Sequence, residues 1–242
     1  MRLDVVLVEL GHFPSRAKAQ AAIADGLVTL CGAVCTKPSV DVCAGDEIIV
    51  TPPAQSYVGR GGLKLSAALD AFALSCDGLV CLDVGASTGA FTECLLRRGA
   101  ARIYSVDVGH GQLHPSLLSD PRVVSMEGLN ARELSRSLIP EPIEFAVMDV
   151  SFISQSLIYR ALTSILTDGA PVVTLFKPQF EVGRENLDKR GVARDAKTHH
   201  ATRDRLISAA GEVGLQFRGI IPSPILGGDG NKEYLMHFEY HS

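Results

Sequence analysis

Apolar residues recur at Leu3, Val6, Leu7 and Leu10 before Gly11, the three-and-four spacing of a helix with one buried face. Ser15 stands where an N-cap belongs. The stretch Arg16 to Asp25 then repeats the pattern, with Ala19, Ala22 and Ile23 inward and Arg16, Lys18 and Gln20 outward, until Gly26 stops it. Leu27 to Leu30, a Cys31-Gly32 turn and Asp46 to Val50 read as a short bent sheet. Thr51-Pro52-Pro53 interrupts regular structure, because proline donates no backbone hydrogen bond and restricts the residue before it.

Beyond Gly59 the period changes. A helix is expected over Leu63 to Leu74, a buried strand over Leu79 to Val84, a helix over Ala90 to Arg98 and a strand over Arg102 to Asp107. Further strands are expected at Phe145 to Asp149, Val172 to Phe176, Leu215 to Ile221 and Tyr234 to Tyr240. Strands alternating with helical stretches predict an α/β domain of Rossmann-like type, a parallel sheet covered on both faces, behind a small α+β module. The expected division is residues 1–52, a linker 53–60 and a domain 61–242.

Composition narrows the function. With 46% hydrophobic residues in 242, the chain can bury a substantial core, and its net charge of −4 supplies no general field for nucleic acid. RNA binding therefore has to rely on local patches. All six cysteines precede residue 95, mostly in apolar runs, so buried reduced thiols are expected rather than a disulfide framework, and no metal site is expected. An acid at Asp4 and the lack of a long apolar run predict a cytoplasmic protein with no membrane span. No obligate protein partner is evident.

The loop Gly85-Ala86-Ser87-Thr88-Gly89 falls where a buried strand hands over to a helix, so small residues let the backbone approach a ligand at the carboxyl edge of the sheet. Asp107 ends the next strand, where a carboxylate can accept both hydroxyls of a ribose. Together they indicate an adenosine-type cofactor, whereas the loop alone is also compatible with a plain packing turn. Asp83 favours S-adenosylmethionine over a dinucleotide: a carboxylate there suits an ammonium and repels a pyrophosphate, and Ser87 occupies the place of the middle glycine of a dinucleotide loop.

Asp149 and Lys177 each close an apolar strand and so lie at that same edge. Lys64 precedes the core on a helix and Glu233 opens the last strand. Singly, each reads equally well as a surface charge or helix cap. Together they offer two lysines and two carboxylates for transfer of a methyl group to a weak nucleophile, which needs positioning and a base. Lys177 is the candidate base.

Arg2-Leu3-Asp4, Ser15-Arg16-x-x-Ala19 and Ile23-x-x-Gly26-x-Val28 resemble an S4 RNA-binding module. Gly61 to Leu65, Asp83 to Thr92, Val106 to Leu113, Asp149 to Ile153 and Phe176 to Glu181 resemble the TlyA group of ribosomal RNA methyltransferases. The resemblance implies 2'-O-methylation of cytidine in ribosomal RNA, with a tetrad falling on Lys64, Asp149, Lys177 and Glu233. The short termini suit large-subunit 23S RNA, naked or as assembled subunits. The cofactor contacts expected are Asp83, Gly85, Ala86, Ser87, Thr88, Gly89, Phe91, Asp107, Val108, Asn130 and Asp149.

RNA contacts are expected at Arg2, Arg16, Lys18 and Arg60, and in the basic stretch Arg184 to Arg205, which includes Lys189 and Arg190. Solvated helix charge is the alternative for the first three. Phe152 and Phe180 are the aromatics nearest the site in sequence, and either can be core or a stacking face. Pro222 to Asn231 reads as a lid or a plain connection. Two rivals remain: a membrane-active haemolysin, which lacks an amphipathic segment, and a non-catalytic RNA-binding protein that keeps the cofactor pocket. A nicotinamide-dependent dehydrogenase is a third.

Overall fold

The computed structural model describes residues 1–24, 26–43, 45–50, 57–183, 187–188, 196–227 and 231–242. It comprises two compact units, Met1–Ser56 and Tyr57–Ser242.

In the smaller unit, helices α1 (Leu3–Glu9) and α2 (Arg16–Ala24) accompany a sheet of β1 (Val28–Leu30), β2 (Ala33–Cys35) and β3 (Ile48–Val50). The sheet is antiparallel with β1 in the middle. Leu3, Leu7, Ala19, Ile23 and Val28 form its core; of the stripe expected on the first helix, Val6 is only half-buried and Leu10, just past the helix end, is exposed. Asp25, the expected end of α2, lies outside the described residues.

The larger unit begins with α3 (Gly61–Ala71), which starts before the expected Leu63 and stops short of Leu74, because Phe72 leaves the helix and Ala73 turns at φ 53°. Then follow β4 (Val80–Val84), α4 (Ala90–Arg97), β5 (Arg102–Asp107), α5 (Pro115–Leu118) and β6 (Val123–Glu127). The chain continues through β7 (Phe145–Met148), α6 (Ser156–Thr163), β8 (Pro171–Phe176), α7 (Ala196–Gly211), β9 (Leu215–Pro222) and β10 (Tyr234–Tyr240). The sheet order is β6-β5-β4-β7-β8-β10-β9. Strands β4 to β8 are parallel, but β10 runs antiparallel to both β8 and β9. The all-parallel expectation therefore fails at one side of the sheet. Between β8 and β9 the chain crosses over through α7, whereas β9 returns directly to β10, and a direct return between neighbours makes an antiparallel pair.

Side-chain alternation along the strands divides the interior into two layers. Cys81, Phe145, Val147, Val173 and Leu175 pack against α3 and α4; Leu82, Val84, Ala146, Met148 and Phe238 face α6 and α7. Burial on both faces explains the near-continuous apolar runs of β4, β7 and β8.

Residues 57–60, read as linker, are packed onto the larger unit. The Val58 amide donates to Glu93 Oε2 at 2.5 Å, the Arg97 guanidinium lies 4.6 Å from the Tyr57 ring centre, and a side chain at Gly62 would collide with that ring. Of the six cysteines, all free, Cys76, Cys81 and Cys94 are buried, but Cys31 and Cys43 are exposed, because they sit in turns rather than in the strands themselves.

Candidate active site

The strand order reverses about β4, from which the chain first builds outward through β5 and β6 and then returns to β7 on the other side. Such a reversal opens a crevice at the carboxyl ends of the strands. Gly85 turns away from β4 at φ 84°, and a Cβ there would strike the Asp149 carbonyl oxygen. The loops after β4 and β7 thus approach as closely as glycine permits. Gly89, at φ 94°, opens α4 against Leu113 and Leu117.

Ser87 is left-handed at φ 47°. Its amide donates to Asp107 Oδ2 at 2.8 Å and its hydroxyl to Gln112 Oε1 at 3.1 Å. Asp107 Oδ1 accepts from the Gly109 amide at 2.7 Å. Glu127 accepts from the amides of Gly111, Gln112 and Leu113, fixing the rest of that loop and holding its carboxyl below the usual carboxylate range.

A cleft of about 480 Å³ lies between Asp107, Val108, Leu129, Asn130 and Ala131 on one side and Asp149 to Ile153 on the other, with Gly85 and Ser87 at its base. A second hollow of about 250 Å³ shares Gly85, Ser87, Asp149 and Ser151 with it and adds Gly59, Arg60, Ala86, Thr88, Phe91 and Lys177. Of the expected cofactor contacts only Asp83 and Gly89 lie off both walls. Gly89 shapes the helix start behind the loop, and Asp83 is fully buried. Asp83 Oδ2 accepts from Thr92 Oγ1 at 2.7 Å, while Oδ1 has no hydrogen-bond partner among the described residues. Burial, opposed by the Thr92 bond and reinforced by the charges of Asp149 and Asp107, pushes its pKa up to about 7.

An orphaned buried acceptor, a glycine cradle and three neighbouring carboxylates fit a ligand with a ribose and a cationic amino-acid end. They do not favour a pyrophosphate, which the Asp83 carboxylate beside the loop would repel. S-adenosylmethionine has the first description.

The four tetrad candidates form two ion pairs. Lys177, immediately after β8, places Nζ 2.5 Å from Asp149 Oδ1 and donates to Ser151 Oγ at 2.9 Å. Lys64, on α3, pairs with Glu233, and both are buried. Since Tyr234 lies opposite Phe176 in the β10–β8 register, Glu233 and Lys177 stand one step further on at the same sheet edge. Gly227 abuts the Glu233 carboxylate so closely that a Cβ would overlap it. Part of the expected lid, residues 228–230, lies outside the described residues.

Phe152 is 90% exposed at φ 63°, its ring centre 4.8 Å from that of Phe180. The core alternative is thereby excluded for Phe152. Reading the sequence did not single out Ser151, Gln112, Glu127 or Leu129. Ser151 and Gln112 carried a signal, each lying inside a matched segment; Glu127 and Leu129 carried none.

The expected RNA contacts are differently placed. Arg2 donates to both oxygens of Asp4 at 3.0 and 3.2 Å, Arg16 at 3.0 Å and Gln20 at 2.6 Å. Asp4 is buried beneath them, and the Arg2 hydrogen bonds, with Gln20 and Arg16, hold its carboxyl far below the usual range. Both guanidiniums are about half exposed, tethered rather than free. Lys18 is exposed, and Arg60 borders the smaller hollow. Arg184, Lys189 and Arg190 lie outside the described residues.

Residues 57–240 match the model of the FtsJ-like methyltransferase family and residues 1–48 that of the S4 domain. The 16S/23S rRNA (cytidine-2'-O)-methyltransferase TlyA of Mycobacterium tuberculosis is 41% identical over 236 residues, 97% of this chain and 88% of that protein. Hemolysin A of Brachyspira hyodysenteriae is 39% identical over 239 residues, 98% and 99% of the two chains. A solved structure from Streptococcus thermophilus, also described as a hemolysin, superposes with a TM-score of 0.78 at 41% identity, covering 100% of this chain and 89% of its own. Among the described residues no helix is long and apolar enough to cross a membrane.

Proposed function

Because the chain belongs to the FtsJ-like methyltransferase family and carries an S4 domain, we propose that it methylates the 2'-hydroxyl of a cytidine ribose in ribosomal RNA, with S-adenosylmethionine as donor. Large-subunit RNA is the proposed acceptor. The observation that carries this reading is the juxtaposition of the Lys177–Asp149 pair with the glycine loop, in one hollow walled by Gly85, Ser87 and Thr88.

When bound, the cofactor supplies an electrophilic methyl group on a sulfonium. Everything else falls to the chain. Asp107 and Asn130 face the cleft where an adenosine fits, and the buried Asp83, behind the glycine loop and off both walls, contributes a carboxylate charge that favours an ammonium. Lys177 Nζ is the group placed to take the hydroxyl proton, while Asp149 and Ser151 hold it in position. The buried Lys64–Glu233 pair lines neither hollow but stands next to Lys177 at the sheet edge, where it supports the position of that residue. The exposed ring of Phe152 provides a face on which an unstacked base can rest.

Arg2 and Arg16, splayed by Asp4, are proposed to grip phosphates from the S4 module, with Lys18 and Arg60 and, in the basic stretch, Arg184, Lys189 and Arg190. In this reading the S4 module holds the RNA, and the larger unit, which begins at Tyr57, carries out the transfer.

Ribosomal subunits incubated with methyl-labelled cofactor should acquire label in ribose. Lys177→Ala should lower the rate by about 10²- to 10⁴-fold while S-adenosylhomocysteine still binds. Label appearing at the wild-type rate in the variant would sink the proposed base, and cofactor binding without any transfer by the wild type would favour a non-catalytic RNA-binding role.

A further inference from the structure

Glu181 is a buried carboxylate for which the reaction has no direct use. It ends the short turn Pro178–Phe180 that follows Lys177, and it lines neither hollow of the site. Its side chain reaches back to the loop after β7. Oε2 accepts from Ser154 Oγ at 2.7 Å and Oε1 from the Gln155 amide at 2.9 Å. Gln155 adds a second tie, donating from Nε2 to the Leu175 carbonyl in β8 at 2.7 Å. From α7, Arg205 donates to the Glu181 carbonyl at 2.6 Å and lies 3.8 Å from its carboxylate.

The loop from Asp149 to Gln155 is thus pinned to the segment after β8 at both ends. At the site end Lys177 binds Asp149 and Ser151; at the far end Glu181 binds Ser154 and Gln155. Between the pins is Phe152, a bulky residue in the left-handed region at φ 63° with its ring in solvent. Such a conformation is disfavoured locally and persists only where surrounding contacts impose it. The Phe152 ring contacts Phe180, the residue just before Glu181.

We propose that Glu181 is a positioning residue for methyl transfer, clamping the loop Asp149–Gln155 so that Asp149, Ser151 and Phe152 keep their places relative to Lys177. This rests on the methyl-transfer reading above and adds to it a residue that touches none of the reacting groups. Burying a carboxylate is costly, and burial does push the Glu181 carboxyl up against the pull of its hydrogen bonds. A leucine here would fill the space but satisfy neither Ser154 nor Gln155.

The test compares Glu181→Ala and Glu181→Gln in the full chain. The Gln155 amide should lose hydrogen-exchange protection in Glu181→Ala, whereas the Asp149 amide, bonded to the Val84 carbonyl, keeps its own. With ribosomal subunits as acceptor, kcat should fall by about a hundredfold, with the Kd for S-adenosylhomocysteine unchanged within about threefold. Glu181→Gln retains an acceptor for the Gln155 amide and a donor for the Ser154 hydroxyl, and it should recover kcat to within about tenfold of wild type. Unchanged kcat in Glu181→Ala overturns the proposal. So does an equal loss of kcat, cofactor affinity and melting temperature in both variants, which marks a general structural role. If the wild type transfers no methyl group, the methyl-transfer reading fails and this one with it; an active wild type beside an unimpaired Glu181→Ala removes this one alone.

Discussion

Lys64 and Glu233 stand 169 residues apart in the chain and form a buried ion pair that joins α3 to the start of β10. Neither charge has another ion-pair partner among the described residues, so each is the other's compensation.

Removing one partner should therefore cost more than removing both. Lys64→Ala or Glu233→Ala leaves an uncompensated buried charge and should lower unfolding free energy by about 3–5 kcal/mol. The double replacement Lys64→Met with Glu233→Leu should recover most of that stability in urea denaturation while methyl transfer stays lost. A double variant as unstable as the worse single one would show that the pair is not balanced in this way.

Asp83 makes both stability and cofactor binding depend on pH. Its folded pKa of about 7 lies above the unfolded value of about 3.9, so the folded state holds the extra proton between them. Its contribution is complete below the unfolded value and is lost as pH rises through about 7. The ammonium of a bound cofactor favours the ionised form, so S-adenosylhomocysteine should release protons on binding near pH 6 and bind more tightly as pH rises toward about 8. Calorimetry in buffers of different ionisation enthalpy measures the protons released, and Asp83→Asn should abolish the effect.

Gly85→Ala should disable the cofactor site. Its positive φ costs about 1–2 kcal/mol with a side chain, and the added methyl strikes the Asp149 carbonyl. Gly169, also at positive φ but with open space around it, supplies the control: Gly169→Ala should show the backbone cost alone. Calorimetric titration with S-adenosylhomocysteine should show at least about a tenfold loss of affinity for Gly85→Ala and none for the control.

At Phe152, function and stability should separate. Phe152→Gly relieves a left-handed backbone and gives up little buried area, so it should raise stability by up to about 1 kcal/mol. The same change removes the stacking face and should lower kcat/KM for RNA without altering cofactor affinity. A loss of stability in thermal melts would mean that contact with Phe180 outweighs the strain.

The parts of the fold legible in the sequence were those set by local period. The continuous apolar runs of β4, β7 and β8, buried on both faces, and the three-and-four spacing of α1 and α2 marked those elements. Direction was not legible: an apolar run looks the same in a parallel or antiparallel neighbour, so β10 was expected to run with the rest. Strand β6 escaped notice because it is a partly exposed edge strand whose Ser125 points to solvent. In the site, Asp107, Asp149 and Lys177 could be placed because strand ends converge by topology. Asp4 and Glu181 could not, since their importance depends largely on partners 12 to 27 residues away in sequence. Phe152 misled for another reason: aromatic character suggests a core, and nothing in the letters announces a left-handed turn.

The direction of β10 also fixes when the site can exist during protein synthesis. It is the last strand in chain order, yet it occupies a place between β8 and β9 rather than at an edge, and its first residue follows directly on Glu233. A nascent chain lacking this strand therefore has a gap in the middle of its sheet, and Lys64, buried in the folded molecule, waits without its carboxylate until residue 233 has emerged from the ribosome.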